Sequence, residues 1–221
     1  MKRKEILDAF NYRFACKLFN KDKKISAEDF DTILEAARLS PSSFGYEPWH
    51  FVVVQDMSKR EKFSKAFWGG DGKWQTASHL VFALSRKKSD MSPGTEYLNH
   101  IMTDVHHIPE EYAQQQSAFF TKFQDVDFGM TKYPEGVIDW SMRQAYIPLA
   151  NMMTTAAILK IDSCPMEGFN RVEMDEILDK EFGFDKNQYS LAYAVAFGYR
   201  AANPERPKSR QSMDEIVTWI E

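Results

Sequence analysis

Ser40-Pro41-Ser42-Ser43-Phe44-Gly45-Tyr46-Glu47-Pro48-Trp49-His50-Phe51-Val52-Val53-Val54 joins a helix to a strand through one turn-rich segment. Upstream, Ser26 followed by Asp29 resembles a capping box and opens a helix with Phe30, Ile33, Leu34 and Ala37 at helical spacing. That helix stops at Ser40, because a residue before proline disfavours the α conformation. Downstream, the β-branched run Val52-Val53-Val54 makes Trp49 to Gln55 a strand. Outward from this joint, residues 2–11 suit a short helix with Ile6 and Phe10 on one side. A helix over 58–67 is broken by Gly69-Gly70-Asp71-Gly72, and His79 to Ser85 reads as a second strand. Residues 139–160 form a long helix on the repeat Ala145, Leu149, Met152, Ala156, Leu159, which Pro148 should kink. A strand over 162–164 precedes Pro165, and Ser190 to Tyr199 is a strongly apolar third main strand. Met213, Ile216, Val217 and Ile220 suit a terminal helix or a strand. Helices and strands mix without βαβ alternation, which makes the class α+β, with helices packed on a small sheet.

Residues 89–137 resist this treatment. They are rich in Gln, Phe and Tyr, with weak helical periodicity around 95–124 and irregular sequence after Asp125, so they are a candidate mobile cover over a site. Length and composition favour one domain over 1–221: the 221 residues are 43% hydrophobic and include 17 Phe. Lys+Arg total 28 against 32 Asp+Glu, a net charge of -4, which argues against a nucleic-acid-coating surface. Cys16 and Cys164 are too few for a disulfide framework or a metal quartet, and neither has a catalytic context. The basic start is not followed by a long apolar stretch, so the expectation is a cytoplasmic chain without a signal peptide. The longest uncharged stretch, Ala145 to Leu159, is too short and too polar for a membrane span.

The simple site motifs fail. Gly69-Gly70-Asp71-Gly72-Lys73 has the wrong spacing for a phosphate loop, and Trp74 stands where Ser or Thr is needed. His106 and His107 are adjacent and point apart, so no metal site is expected. The basic pairs carry more. Lys208 and Arg210, if extended, project to one side, and Arg13 and Lys17, if helical, share a face. Cations converging from both ends of the chain could neutralise a phosphate dianion.

The chain resembles the FMN-dependent nitroreductase family from Ala9 to its end. The likeness is carried by Arg13…Lys17-Leu18-Phe19, by Ser40-Pro41-Ser42-Ser43 with Pro48-Trp49-His50-Phe51, and by Lys73 ahead of Ala77-Ser78-His79. It continues through Asp139-Trp140…Gln144, Pro165-Met166-Glu167-Gly168-Phe169 and Lys208-Ser209-Arg210. This resemblance implies a small, mostly antiparallel sheet flanked by helices, in an interlocked homodimer with FMN at the interface. Arg13, Lys208 and Arg210 would hold the FMN phosphate, with Phe14 and Ala15 beside them. Lys17 and Lys73 would sit near the pyrimidine edge of the flavin. Pro41, Ser42 and Ser43 would come from the other subunit, and Gln144 would reach the cofactor from the long helix. Pro165, Met166, Glu167 and Gly168 would run along the ring with backbone N–H groups near N5. No residue is expected to act as a dedicated acid or base; Lys17, Lys73 and Glu167 would tune or position the flavin. The implied reaction is ping-pong transfer of two electrons from NAD(P)H to nitroaromatics, quinones or similar flat acceptors, with no metal.

Some positions depart from the family. Phe14-Ala15 replaces a more polar pair, so a phosphate contact there would be through backbone. Gly70 stands where relatives often carry an Asn that bonds the flavin edge. Phe44 and Tyr46 add aromatic character to the loop beside the site, and Phe119, Phe120 and Phe123 are candidates either for the pocket wall or for the core; Phe44, Phe120 and Phe123 are the expected substrate contacts. The alternatives are a flavin-fragmenting or reductively dehalogenating enzyme on the same fold, or a flavin-binding protein without turnover.

Overall fold

A computed structural model describes residues 2–221. Its elements, in chain order, are α1 (Arg3–Tyr12), α2 (Ala27–Arg38), β1 (Trp49–Val53), α3 (Met57–Glu61), α4 (Lys73–Thr76) and β2 (His79–Arg86). They continue with α5 (Lys88–Met91), α6 (Glu96–His100), α7 (Glu110–Lys122), α8 (Gly136–Ile158), β3 (Asp162–Met166), α9 (Arg171–Phe182), β4 (Tyr189–Gly198) and α10 (Met213–Ile216). The four strands form one antiparallel sheet in the order β1-β2-β4-β3, which makes the fold α+β.

Strand alternation sorts the core into two layers. Leu80, Phe82 and Leu84 of β2 join Ala194 and Ala196 of β4 on one face, packed against Phe63, Phe67, Met174 and Leu178. Val81 and Ala83 join Tyr193, Val195 and Phe197 on the other, beneath Ile33 and Ala37 of α2 and Ala145, Leu149 and Met152 of α8. β4 is central and buried on both faces, which is why it reads as a continuous apolar run. Ser26 caps α2 as its spacing predicts, its Oγ accepting from the Asp29 N–H at 3.1 Å. Pro148 lies inside α8 without ending it.

Three segments differ from the sequence reading. The helix expected over 58–67 is one short helix, α3, followed by turns. α9 was not anticipated; its apolar stripe is thin, with Val172 exposed, although Asn170 caps it and Gly183, at φ +75°, ends it. The cover, read as weakly helical around 95–124 and irregular after Asp125, is mostly helical, comprising α5 to α7 with π-helical turns at Ile101–Val105 and Phe123–Asp127. It has its own core of Met91, Leu98, Met102, Phe120 and Trp140, and Tyr46 from the turn-rich joint is buried within it.

Two arginines, Arg60 buried and Arg200 half-buried, brace one end of the sheet. Arg60 is almost fully buried and donates to the carbonyls of Val54, Trp74, Ala77 and Ser78 at 2.7–3.2 Å and to the Gln55 amide oxygen at 2.8 Å. It tethers α4 to the start of β2, and burial pulls its guanidinium down to about 10. Beside it, where the start of β3 meets the end of β4, Arg200 closes on the carboxylate of Asp162, Nη2 at 2.5 Å and Nε at 2.8 Å, while its backbone N–H donates to the other oxygen at 2.9 Å. Tyr12 completes this knot, its hydroxyl donating to Lys160 O at 2.8 Å and its ring lying under the Arg200 guanidinium.

His79, at the head of β2, stacks on Phe30 with ring centroids 3.7 Å apart. Burial, helped by Arg60 and Lys24, lowers its imidazole from 6.5 to about 4. The unfolded chain therefore binds more protons than the folded one across that interval, so stability falls as pH drops through it, by up to about 3 kcal/mol. Urea unfolding of wild type and His79→Phe at several pH values checks this. The wild-type-minus-variant difference should shrink or reverse as pH falls; a difference independent of pH contradicts the assignment.

Candidate active site

A cleft of about 480 Å³ opens where the end of α1 meets the segment after β4. Arg13, Arg200, Arg206, Lys208 and Arg210 line it, with Tyr12, Phe14 and Ala15, and no carboxylate does. Arg200 is committed to Asp162, and the other four cations form no ion pair among the described residues. Lys208 donates to the Phe10 carbonyl. Burial lowers the pKa of Arg13, and Arg210 lowers it further; Lys208 is lowered by burial and then by Arg13 and Arg210. These cations crowd one another in a place that suits an anion. Phe14 and Ala15 bring no polar side chain: Phe14 packs under the Arg200 guanidinium at 4.4 Å, and Ala15 bridges to Ser163 of β3.

Lys17, in the loop after α1, and Lys73, the first residue of α4, belong to segments that meet at Gly72. A side chain at Gly72 would come within 3.5 Å of the Lys17 carbonyl, and the Lys73 ammonium donates to Asp71 O at 3.0 Å. Burial raises the Cys164 thiol, while Lys17, Lys73 and Arg13 all pull it down. All three cations therefore lie within Coulombic range of Cys164, which precedes Pro165 and Met166 on β3.

The loop after β3 is fixed mainly through its backbone. Gly69 N–H donates to Gly168 O at 2.6 Å, Phe169 N–H to Glu167 O at 2.9 Å, and Asn170 N–H to Ala66 O at 2.8 Å. A Cβ at Gly69 or Gly168 would stand 2.7 Å from the other's Cα, so this contact admits only glycine on both sides. Gly70 is equally constrained: a Cβ there would lie 2.4 Å from the Phe67 ring. The ring fills the space that an Asn at this position would need.

A second group gathers on α8. The Ser43 N–H donates to the Gln144 amide oxygen at 3.0 Å, and Asn151, two turns further along, donates to Ser40 Oγ at 2.8 Å. Ser42 Oγ accepts from the Glu47 N–H at 2.9 Å, with Pro41 between the two anchored serines. None of these residues lines the cationic cleft. Phe44, at φ +60°, is held by edge contacts to Phe120 and Phe123, each 5.0 Å between centroids, and by stacking on Tyr46. Phe120 is fully buried in the core of the cover, as the core reading of this residue expects. Phe123 packs half-buried on that core, and Phe119 is the exposed ring of the three. Sequence reasoning missed Arg206, which shares the cleft, and Tyr146, whose hydroxyl meets Glu167.

The nitroreductase family model matches residues 11–199. The chain belongs to the nitroreductase family. A relative from Staphylococcus epidermidis, provisionally named an NAD(P)H nitroreductase, is 46% identical over 98% of this chain and 97% of its own length. Among solved structures, an Exiguobacterium sibiricum nitroreductase in complex with FMN superposes with a TM-score of 0.75 at 19% identity, covering 97% of each chain. An enone reductase of gut-bacterial fatty acid saturation covers 100% of each chain, with a TM-score of 0.78 at 20% identity. Nitroreductases of this fold therefore provide the frame for reading the cleft. No helix among the described residues is long and apolar enough to cross a membrane.

The Gly69–Gly168 contact is testable by itself. Gly69→Ala should cost about 1–3 kcal/mol, because the new methyl meets backbone rather than a side chain that could swing away. Urea denaturation reads this directly, and an unchanged midpoint would show that the two loops do not touch.

Proposed function

We propose that this chain is an FMN-dependent oxidoreductase of one domain, working as a homodimer and passing hydride from NAD(P)H to flat acceptors such as nitroaromatics and quinones. The observation that carries the reading is the acid-free cleft in which Arg13, Lys208 and Arg210 converge with Arg206. Three cations suffice for a phosphate dianion, and an arginine fork adds two parallel donors. The fit extends past the phosphate. Lys17 and Lys73, both near Cys164, would lie along the pyrimidine edge and stabilise negative charge there. Pro165, Met166, Glu167 and Gly168 would flank the ring. FMN, when bound, supplies the two-electron chemistry; the protein binds it, orients it and shapes the space beside it.

Dimerisation accounts for two further features. Ser42, Ser43 and Gln144 form a group separate from the cleft, as expected if they complete the site of a second copy. Met213, Ile216, Trp219 and Ile220 at the C-terminus are all exposed, Trp219 at 83% and Ile220 at 90%, apolar side chains that a second copy would cover.

Purified protein should be yellow and release FMN on denaturation. Lys208→Ala with Arg210→Ala should weaken FMN binding roughly a hundredfold or more, since two charge-assisted hydrogen bonds are lost. Titration of apoprotein with FMN measures it, and unchanged affinity would remove the phosphate role from these residues. Light scattering should give a dimer; an active monomer would contradict the shared site. Anaerobic reoxidation of the reduced flavin by nitro compounds, quinones, halogenated phenols and α,β-unsaturated ketones would rank the acceptors.

A further inference from the structure

Tyr146 lies two residues beyond Gln144 on α8 and so leaves the helix on another side. Its hydroxyl donates to the Glu167 carboxylate and lies 3.3 Å from the Ala192 carbonyl of β4. Its ring stands edge-on to Tyr193, with centroids 5.2 Å apart. Glu167 is otherwise exposed, and among the described residues this is the side-chain contact its carboxylate makes. The rest of the loop hangs on backbone hydrogen bonds to Gly69 and Ala66. One phenol therefore decides where the negative charge of this loop sits.

We infer that Tyr146 is a positioning residue for the proposed reaction: it fixes the Glu167 carboxylate, and with it the Glu167–Gly168 backbone, beside the redox centre. The inference rests on the flavin reading above. A free glutamate on a loop samples several rotamers and is screened by water; a tethered one holds its charge at a constant distance from the flavin. Burial, and then the hydrogen bond to Glu167, raise the pKa of Tyr146, so the phenol keeps its proton and remains a donor throughout the neutral range. A fixed anion next to the flavin opposes the charge gained on reduction and so holds the midpoint potential down. Releasing the anion should let the potential rise.

The test is a cycle of Tyr146→Phe, Glu167→Gln and the double variant, all loaded with FMN. Tyr146→Phe removes one oxygen and keeps the ring packing, so FMN affinity and thermal midpoint should stay close to wild type. The flavin midpoint potential should become more positive, and the rate of flavin reduction by NAD(P)H in single turnover should change by about tenfold. Glu167→Gln alone should move both readouts in the same direction, and the double variant should go no further than the larger single effect. Unchanged potential and rate in Tyr146→Phe would overturn the inference, as would effects that multiply in the double variant. A lowered thermal midpoint with wild-type potential would reduce Tyr146 to a packing role and also overturn it. Glu167→Gln probes the same contact from the exposed side, so a poorly folding Tyr146→Phe does not block the test: a wild-type potential in Glu167→Gln is sufficient refutation. Wild-type protein that takes up no FMN would sink the flavin reading itself, a failure distinct from the others.

Discussion

The pairing of Asp162 with Arg200 is the constraint on which the candidate site depends. Asp162 is buried at the first residue of β3 and Arg200 stands just beyond the last residue of β4, so their bond closes the end of the sheet. Desolvating the two charges is expensive, and the cost is met only because the carboxylate also receives a backbone N–H and lies within reach of the Tyr12 hydroxyl. The guanidinium in turn donates to Tyr12 O at 3.2 Å and covers the rings of Tyr12 and Phe14. Arg13 sits between those two rings in sequence. Its presentation to the cleft is thus a consequence of an ion pair in which it takes no part.

The same economy places the other functional groups. Arg60 caps the carbonyls at the end of α4 and so holds the turn that carries Lys73, while the glycine pair 69 and 168 brings that turn's approach against the loop after β3. Helix α8 serves two directions at once. Gln144 and Asn151 grip the serine loop on one side, and Tyr146 reaches β4 and Glu167 on another. If the serine loop belongs to a neighbouring subunit's flavin, as the proposed dimer requires, α8 is the rigid body shared by two sites.

How much of this was legible in the sequence depended on how much each segment buries. β2 and β4 declared themselves through apolar runs, because both of their faces are covered. α2 was marked by Ser26, by the proline after Ser40 and by a full apolar stripe. α9 carried the right boundary signals in Asn170, Glu173 and Gly183, but with few buried residues between them its periodicity stayed weak. The cover was harder for a physical reason. Two of its helices, α5 and α6, are very short, α6 and α7 continue into π-helical turns, and His107 takes a left-handed φ of +55°, so no single period runs through it. The cationic residues were visible as residue types; that Arg13 meets Lys208 and Arg210 follows from contacts between Asp162, Arg200 and Tyr12 that no local pattern encodes.

Those contacts also explain why the cleft can exist at all. Four cations without a carboxylate among them repel one another, and the lowered pKa values of Arg13 and Lys208 are the signature of that repulsion added to burial. A chain selected only for stability would relieve the strain with an acidic side chain. Here the carboxylate of Asp162 is consumed by Arg200 and buried beneath it, and no carboxylate lines the cleft, which leaves it positive. An anion that binds the folded state and not the unfolded one then returns stability in proportion to its affinity. The ion pair that frames the site and the unpaired charges that fill it are therefore two halves of one arrangement: neutralising Arg200 internally is what keeps Arg13, Arg206, Lys208 and Arg210 available to a ligand.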